Sequence, residues 1–493
     1  MSPSVEPFDE AKYKALMDGL ECSEITLSDL EFSGRIDSEY YQKKYLKYEN
    51  MVLSHNGCPM GSLCHFLIGP FGSAYDTSNY VESSEYRYVR GQDVKPFFLQ
   101  EVSPRYMARE DYQRLSKYAL KEDDILVSVV GTLGNACIVQ KKELPAIFSC
   151  KSTAVRVDAI DSYFLLAYLN SKYGRQLLLR KERGAVQKGL NLDDLKVLDI
   201  PCLSDVFQEE IRNIAVAASV AMNKSSQLYC ETHELLMREL HFNSEAISTK
   251  GTVEKHLSES FGISGRLDAE YYQPKYDDLF TLLDHLSTKQ LGDIVTMSKS
   301  IEPGSEYYGS EGVPFIRVSD VSVTGIEPPT IRIPKNIVPS IETLYPKRDT
   351  ILFSKDGSVG IAYKVEDDLE AVTSGALLHL HVKNTADVLP DYLTLVLNSE
   401  IVRLQAERDA SGAIIQHWKP SDVAAVTIPI LPHEMQIEIA QKVQESFALR
   451  RQAEALVEKA VRAVEIAIEE DESAAIAWLD CGNRSASASP MRS

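Results

Sequence analysis

The sequence of 493 residues contains no apolar run long enough to cross a bilayer. Its longest nearly unbroken apolar run, IAVAASVAM at 214–222, is about half of the roughly 20 residues that a transmembrane helix needs. The N-terminal segment MSPSVEPFDE is acidic and has no apolar stretch of the kind found in secretory signals. We therefore expect a cytoplasmic protein that contacts no membrane.

The sequence also has few signs of a metal site, a disulfide framework or an enzyme active site. Its eight cysteines include no CxxC pair and no repeated spacing, which favours reduced, mostly buried thiols. It has no P-loop, HExxH or GxSxG motif, no GxGxxG after a strand, and no DPPY or NPPY motif of an amino-methyltransferase. We expect no metal and no cofactor in the chain itself, and no catalytic activity of its own.

Acidic residues outnumber basic ones, 72 to 52, and the formal net charge is −20. Nonspecific affinity for nucleic acid depends on the number of phosphates that basic groups neutralise. The composition therefore argues against a protein that coats nucleic acid indiscriminately, although a local basic face is compatible with it.

The sequence contains an internal repeat. GRIDSEYYQKKY at 34–45 is repeated as GRLDAEYYQPKY at 265–276, with nine of twelve positions identical. The similarity continues in the same order to the end of each copy, so one unit of about 230 residues is used twice. The later matches pair DILVSVVGTLGNACIV at 124–139 with TILFSKDGSVGIAYKV at 350–365, and GAVQKGLNLDDLKVLDIP at 184–201 with GAIIQHWKPSDVAAVTIP at 412–429.

Each unit mixes strand and helix patterns. ILVSVVG and ILFSKDG predict buried strands that end at a glycine turn, whereas DSYFLLAYLNSKYGRQLLLRK has helical periodicity. The glycines of GPFGS at 69–73 and GTLG at 131–134 lack the lysine and helix start of a nucleotide-binding loop, so we interpret both as turns. His379 and His381 could share a metal, but the first copy has AVRV there, which favours a structural role. The unit is predicted to be α+β.

A long helical pattern follows each unit. In the first, Ile211, Ala218, Ser225 and Thr232 belong to a seam of alternating three- and four-residue steps, the pattern of a helix that packs lengthwise on another helix. About 37 residues at 1.5 Å each would give a rod of roughly 55 Å. We expect the two helices to pair with each other, with Ala218 and Ala221 facing Ala460 and Ala463; the alternative is that each packs on its own domain. The predicted helix-pairing residues are Ala218, Ala221, Leu228, Leu449, Leu456, Ala460 and Ala463.

This organisation resembles the specificity subunit of type I restriction-modification systems. The resemblance is carried by the order of unit, long helix, unit, long helix, by FIRVSDV at 315–321, and by QKGLNLDDLKVLDIP at 187–201. The second copy departs from the last motif with IIQHWKPSDVAAVTIP, and neither copy's IP is followed by a double proline. The resemblance implies an α+β fold with two target recognition domains separated by two long helices that form an antiparallel coiled coil. The expected boundaries are 1–203 for the first recognition domain, 204–242 for the first spacer helix, 243–431 for the second domain, 432–480 for the second helix and 481–493 for a disordered tail.

The resemblance also implies a function and partners. Each domain is expected to read one half of a bipartite target in double-stranded DNA, and the helices to set the gap between the halves and to dock two methyltransferase subunits. Restriction/translocase subunits are further expected partners. S-adenosylmethionine and ATP are expected on these partner subunits, because the specificity subunit is not catalytic. Exposed acidic residues of the second helix, Glu458, Glu465 and Glu469, are the predicted docking residues.

Two loops are candidates for contact with DNA. The stretch 170–188 has six basic residues against Glu182, a local charge of 6 − 1 = +5, which favours contact with phosphates. The corresponding stretch 398–419 has no net charge, so amide, imidazole and indole groups are its candidates for base edges. The predicted DNA-binding residues are Lys172, Arg175, Arg180, Lys181, Arg183, Gln187, Lys188 and Asn191 in the first copy and Gln416, His417, Trp418 and Lys419 in the second.

Each prediction has a competing interpretation. The basic helix could be a solvated face, and the loops could dock each domain on a long helix. The whole chain could be a duplicated scaffold that assembles proteins without contacting DNA, and an enzyme ranks third because no catalytic constellation is repeated. Readers of two different half-sites should differ in their polar loop residues while sharing a framework, and GLN in one copy against HWK in the other is such a difference.

Overall fold

The structure is a computed structural model that describes residues 8–100, 103–184, 188–243, 247, 253–258, 260–412 and 416–487. The chain forms two compact units. Unit 1 comprises Met1–Val220 and Gln452–Ser493, and unit 2 comprises Ala221–Arg451. The boundaries between the units fall inside two long helices, so each of these helices contributes one segment to each unit.

Unit 1 begins with helices and then alternates strands and helices. Its helices are α1 (Glu10–Met17), α2 (Leu27–Ser33), α3 (Lys43–Leu53), α4 (Arg109–Arg114), α5 (Ser162–Asn170), α6 (Lys172–Leu179), α7 (Leu192–Lys196) and the first segment of α8 (Asp205–Glu239). Its strands are β1 (Cys58–Pro59), β2 (Cys64–Ile68), β3 (Arg87–Val89), β4 (Arg105–Tyr106), β5 (Ile125–Ser128), β6 (Ala136–Ile138), β7 (Ala146–Phe148), β8 (Ser152–Val157) and β9 (Asp199–Ile200).

The main sheet of unit 1 is antiparallel, with strand order β2-β8-β5-β6. All four residues of β5 are buried, as expected for a central apolar strand, and Ile125 pairs with both Val155 and Ile138. A second sheet has the order β4-β3-β7, in which β3 and β7 are parallel. Helix α5 begins at Asp161, whose side chain accepts the main-chain N–H groups of Tyr163 and Phe164, and its apolar side chains join the core of the unit.

Unit 2 repeats this plan. Its helices are α9 (Phe261–Ser264), α10 (Pro274–Asp284), α11 (Leu291–Ile294), α12 (Pro390–Leu397), α13 (Glu400–Asp409), α14 (Pro420–Ala424) and the first segment of α15 (His433–Glu469), and α16 (Glu472–Ser487) follows in unit 1. Its strands are β10 (Thr288–Gln290), β11 (Val295–Lys299), β12 (Val313–Ile316), β13 (Val321–Ser322), β14 (Gly325–Ile326), β15 (Arg332–Ile333), β16 (Ile351–Ser354), β17 (Asp356–Gly357), β18 (Ala362–Lys364), β19 (Val372–Thr373), β20 (Leu377–Val382), β21 (Gln416–His417) and β22 (Thr427–Pro429).

The two larger sheets of each unit correspond strand by strand. The order β11-β20-β16-β18 in unit 2 matches β2-β8-β5-β6 in unit 1, and β15-β12-β19 matches β4-β3-β7, again with one parallel pair. The two strands predicted from ILVSVVG and ILFSKDG are β5 and β16, and all four residues of each are buried. The α+β fold class and the duplication inferred from the sequence are therefore confirmed.

The long helices differ in part from their predicted boundaries. The first was predicted over 204–242 and is α8, Asp205–Glu239. The second was predicted as one helix over 432–480, but α15 ends at Glu469 and α16 starts at Glu472. Asp471 separates them, because its carboxylate accepts the N–H of Ala474 at 2.8 Å and caps the new helix. Helix α16 reaches Ser487, beyond the predicted start of the tail at 481, and residues 488–493 lie outside the described part of the chain.

The long helices run in opposite directions, since α8 starts in unit 1 and ends in unit 2, whereas α15 does the reverse. They contact each other within unit 2, where the side chains of Ser225 and Ser446 are hydrogen-bonded. Several buried positions of α8 follow a heptad-like spacing. They are Ile211, Ala215, Ala218, Met222, Ser225, Thr232 and Leu236, and the helix also buries Phe207, Ser219, Ala221 and Leu235.

The predicted helix-pairing residues occupy these buried faces to different degrees. Ala218 and Ala221 are buried, and Ala460 and Ala463 are fully buried. In unit 1, the core that holds Ala460 and Ala463 includes Ile211 and Ala215 rather than Ala218. Ala460 therefore packs with an earlier part of α8 than the predicted Ala218. The three leucines of the predicted set are half-buried: Leu228, Leu449 and Leu456.

Candidate nucleic-acid interface

The loop predicted to contact DNA forms the same short hairpin in each unit. In unit 1, Arg183 and Gly189 exchange two main-chain hydrogen bonds of 2.9 Å. In unit 2, Ser411 and His417 exchange two, of 3.0 and 2.7 Å. Residues 185–187 and 413–415 lie outside the described part of the chain, and the predicted Gln187 is one of them.

Each hairpin rests on the glycine turn that follows the central strand. Leu190 N–H donates to the Val129 carbonyl at 3.0 Å, and Trp418 N–H donates to the Lys355 carbonyl at 2.7 Å. The turns have glycines with positive φ at matching places, which only glycine adopts readily. These are Gly131 and Gly134 in unit 1 and Gly357 and Gly360 in unit 2. GTLG is therefore a turn that supports the hairpin, as its composition predicted.

The unit 2 hairpin presents polar side chains to solvent around a buried anchor. Gln416, His417 and Lys419 are exposed. Trp418 is 1% exposed, and its ring centroid lies 5.8 Å from that of Phe353 in β16. Trp418 was predicted to contact DNA, but its indole packs in the core and holds the exposed residues on either side of it.

Two basic residues predicted to contact phosphates are also part of the core. The Arg180 guanidinium forms an ion pair with Glu49 at 2.9 Å, donates to the Tyr40 carbonyl at 2.6 Å and lies 4.0 Å from the centroid of the Tyr40 ring. Lys181 is buried, and burial lowers the pKa of its ammonium. The structure thus places Arg180 and Lys181 in the interior of unit 1 and not on the exposed basic face that the sequence predicted.

The other basic side chains of this stretch are paired within unit 1. Lys172 pairs with Glu469, Arg183 pairs with Asp194 at 2.8 Å, and Lys188 pairs with Glu182. Arg175 donates to the Asn135 side chain at 3.1 Å, and burial lowers its pKa. Asn191 is exposed at the start of α7, and its N–H donates to the Asp194 carboxylate at 3.0 Å. Arg183, Lys188 and Asn191 are therefore the exposed candidates of the unit 1 hairpin among the described residues.

Two of the predicted docking acids are engaged inside unit 1. Arg462 forms ion pairs with Glu465 at 3.1 Å and with Glu469 at 3.0 Å, and the N–H of Lys172 donates to Glu465 at 2.8 Å. Burial raises the pKa of Glu469, but its hydrogen bonds with Arg462 and Lys172 outweigh burial and hold the pKa at about 2. These acids tie α15 to α6, which leaves Glu458 as the exposed member of the predicted set.

The most similar segment of the two copies, 34–45 and 265–276, contributes an arginine that is hydrogen-bonded to the base of each hairpin; we call this contact the clamp. Arg35 pairs with Asp37, lies 4.9 Å from the Tyr40 ring centroid and donates to the Glu182 carbonyl at 3.2 Å. Arg266 does the same with Asp268, with the Tyr271 ring at 4.5 Å and with the Asp409 carbonyl at 3.5 Å. The sequence showed that these residues are repeated. It did not predict their contacts, because the carbonyls of Glu182 and Asp409 lie more than 140 residues away along the chain.

The paired histidines have structural partners. His379 Nε2 lies 2.7 Å from Thr373 Oγ1, and His381 Nε2 lies 3.1 Å from Thr350 Oγ1. Burial lowers the pKa of His379 to about 4. Across the described residues, no three His, Cys, Asp or Glu side chains form a group that could hold a metal. Within the same part of the chain, no helix is both long and apolar enough to cross a membrane.

Comparison with protein-family models gives a match to a segment that includes the hairpin of unit 2. Residues 284–458 match the family model "Type I restriction modification DNA specificity domain". The resemblance to type I specificity subunits is confirmed. The matched residues include β16, the glycine turn, the hairpin with His417 and more than half of α15.

Solved structures of type I systems are also similar to the chain. The S subunit of the type I restriction-modification system of M. genitalium has 16% sequence identity, with 85% of this chain and 95% of that chain covered and a TM-score of 0.35. The HsdS subunit of Thermoanaerobacter tengcongensis has 18% identity, with coverage of 84% and 96% and a TM-score of 0.27. A chain from a study of assembly and conformational transition of the type I R-M system has 18% identity, coverage of 84% and 97%, and a TM-score of 0.27. No curated protein matches the chain.

Proposed function

We propose that the chain is the DNA-recognition subunit of a type I restriction-modification complex, in which each unit reads one half of a bipartite target. The observation that carries this proposal is the contrast between a shared framework and different hairpins. Both hairpins are clamped by an equivalent arginine and rest on an equivalent glycine turn. Their exposed side chains differ: Arg183, Lys188 and Asn191 in unit 1, and Ser411, Gln416, His417 and Lys419 in unit 2.

The alternative, a duplicated scaffold that does not contact DNA, explains these differences less well. A scaffold that binds the same partner twice has no reason to vary the exposed residues of one loop while keeping its support. Amide, imidazole and ammonium groups are the groups that pair with base edges. The match to a DNA specificity domain over the second hairpin supports the same choice.

Contacts with the DNA backbone are assigned to exposed groups. Since Arg180 and Lys181 are buried, Arg183 and Lys188 in unit 1 and Lys419 in unit 2 are the exposed hairpin cations that remain for phosphates or bases. Lys188 would exchange Glu182 for a phosphate, an exchange of one exposed ion pair for another. A small number of phosphate contacts suits a chain with a net charge of −20.

The partners follow from the same proposal. Two methyltransferase subunits, one for each unit, would supply S-adenosylmethionine and the methylation chemistry, and restriction/translocase subunits would supply ATP-driven cleavage. The specificity chain would contribute no catalytic group. Its two long helices would set the gap between the half-sites and offer docking surface, to which the exposed Glu458 of α15 belongs.

Exchange of one unit tests the proposal. Residues 265–430, which contain the whole second recognition framework, are moved into a related specificity subunit, and the chimera is expressed with its methyltransferase. Methylome sequencing should then show the second half-site of this protein joined to the first half-site of the relative. The reciprocal exchange of 34–203 is the matched control and should transfer only the first half. A modified sequence with both halves changed, or with neither changed, would contradict the two-reader model.

A further inference from the structure

The unit 2 hairpin holds a histidine whose ring is oriented by a carboxylate. His417 Nδ1 lies 2.9 Å from Asp356 Oδ1, and the histidine side chain is 61% exposed. Asp356 is only 23% exposed, and its second oxygen contacts the Lys355 ammonium. The histidine is therefore solvent-facing, whereas the group that fixes it is largely enclosed.

Backbone pairing brings the two residues together. Strand β17 pairs with β21 so that Asp356 is opposite His417 and Gly357 is opposite Gln416. The buried Trp418 and its hydrogen bond to the Lys355 carbonyl hold the hairpin on this turn. The position of the ring is thus set by the main chain before the carboxylate adds its hydrogen bond.

Among the described residues, the pair of Asp356 and His417 occurs in unit 2 and has no counterpart in unit 1. The fold of the unit does not depend on it. At the corresponding place in unit 1, Val130 and Gly189 form an isolated bridge and have no polar side chains. Unit 1 joins the turn to the hairpin at this place without an ionic pair between the two bridged residues. A polar pair at a hairpin whose exposed residues differ between the units therefore points to a difference in what each unit recognises.

We propose that Asp356 positions His417 to read a base of the second DNA half-site. This inference rests on the proposed function and adds to it a named reading residue and its positioning residue. A carboxylate that accepts the Nδ1–H hydrogen bond fixes the tautomer and leaves Nε2 as the outward hydrogen-bonding atom. Neutral Nε2 accepts a hydrogen bond from an exocyclic amino group of adenine or cytosine, and a protonated Nε2 donates one to guanine N7 or O6.

Three variants of the full chain, expressed with the partner subunits, test the inference by methylome sequencing. Asp356→Asn keeps the shape of the side chain and removes its charge, and should relax preference at one base pair of the second half-site by up to about tenfold. His417→Ala should relax the same base pair. Asp356→Glu, which restores a carboxylate, should recover part of the preference. Asp387→Asn, an exposed aspartate of the same unit, is the matched control and should leave both half-sites unchanged.

The outcomes separate the inference from the proposed function. If the wild-type chain directs methylation of a bipartite sequence and Asp356→Asn keeps the full second half-site preference, the inference is wrong and the two-reader model stands. If Asp356→Asn lowers methylation at all sites equally, Asp356 has a structural role only and the inference is again overturned. If the wild-type chain directs no bipartite methylation, the proposed function fails first.

Discussion

Ser225 of α8 and Ser446 of α15 donate hydrogen bonds to each other's main-chain carbonyl, Ser225 Oγ to Ser446 O at 2.7 Å and Ser446 Oγ to Ser225 O at 2.9 Å. Both residues are buried, and their hydroxyl groups lie 3.2 Å apart. Such reciprocal bonds require the helix backbones to approach closely, which only small side chains permit. The contact explains why serine, rather than leucine, occupies this step of the apolar seam.

Replacement of Ser225 by leucine should separate the helices at this point. Overpacking of a close contact costs about 1–3 kcal/mol, and the Ser446 carbonyl loses the hydroxyl of Ser225 that donates to it. We expect a lower thermal unfolding midpoint, measured by circular dichroism. Gln227→Leu changes an exposed position of the same helix and should have little effect. Equal midpoints for the two variants would show that the seam is looser than the structure indicates.

Ala460→Glu should destabilise unit 1. Ala460 is fully buried in the core with Ile211 and Ala463, so the substitution places an unpaired carboxylate in an apolar environment at a cost of several kcal/mol. Ala455→Glu makes the same change at an exposed position of α15 and serves as the control. Limited proteolysis should cleave the Ala460 variant much faster, and comparable resistance of both variants would contradict the packing described.

Arg180→Gln should lower stability without changing the salt dependence of DNA binding. The substitution breaks the ion pair with Glu49 and the contact with Tyr40, which together should contribute about 1–3 kcal/mol. Lys188→Gln alters an exposed cation and should instead reduce the slope of log K against log salt by about one unit. Binding measured by fluorescence anisotropy over a range of salt concentrations distinguishes the two roles. A reduced slope for Arg180→Gln would restore it as a phosphate contact.

His379 should make unit 2 less stable in mild acid. Burial lowers its pKa from the ordinary 6.5 to about 4 in the folded chain, so the unfolded chain binds more protons between these values. His379 therefore does not affect the free energy of unfolding above pH 6.5. As the pH falls from 6.5 toward 4, protonation of His379 in the unfolded chain lowers that free energy. His379→Gln should flatten this part of the stability curve, measured by urea unfolding at several pH values. His285→Gln, at an exposed histidine, should leave the curve as in the wild type.

The sequence predicted those features of the fold that depend on local pattern. Apolar, β-branched runs that end at a glycine turn located β5 and β16, and the three- and four-residue steps located α8. It did not predict which polar residues are buried. Arg180 and Trp418 look like surface residues of a binding loop in the sequence, yet partners brought close only by folding, Glu49 and Phe353, place them in the core.

The same limit applies to the candidate site. The sequence repeat pointed to two equivalent loops as candidates for contact with DNA, and the structure forms a hairpin at each of them. Asp356 was missed because its role depends on a backbone pairing with His417, 61 residues away. A useful signal was nevertheless present: where the first copy has valine and glycine, the second has aspartate and histidine.

Lengthening both long helices should change the gap between the half-sites and leave each half-site intact. Four residues inserted between Val220 and Ala221 of α8, and four between Arg451 and Gln452 of α15, add about 6 Å to each helix. They rotate the buried seam by only about 40°, so the helices should still pair. Since one base pair of DNA rises about 3.4 Å, the methylated sequence should gain one or two base pairs in its gap.

The control for this experiment is an insertion of two residues at the same two places. It turns the apolar seam by about 200° and should therefore unfold the helix pair rather than adjust the gap. Methylome sequencing and the thermal midpoint are measured for both variants. If the four-residue variant remains stable and methylates the original gap, the long helices do not measure the distance between the half-sites, and that part of the proposed function is wrong.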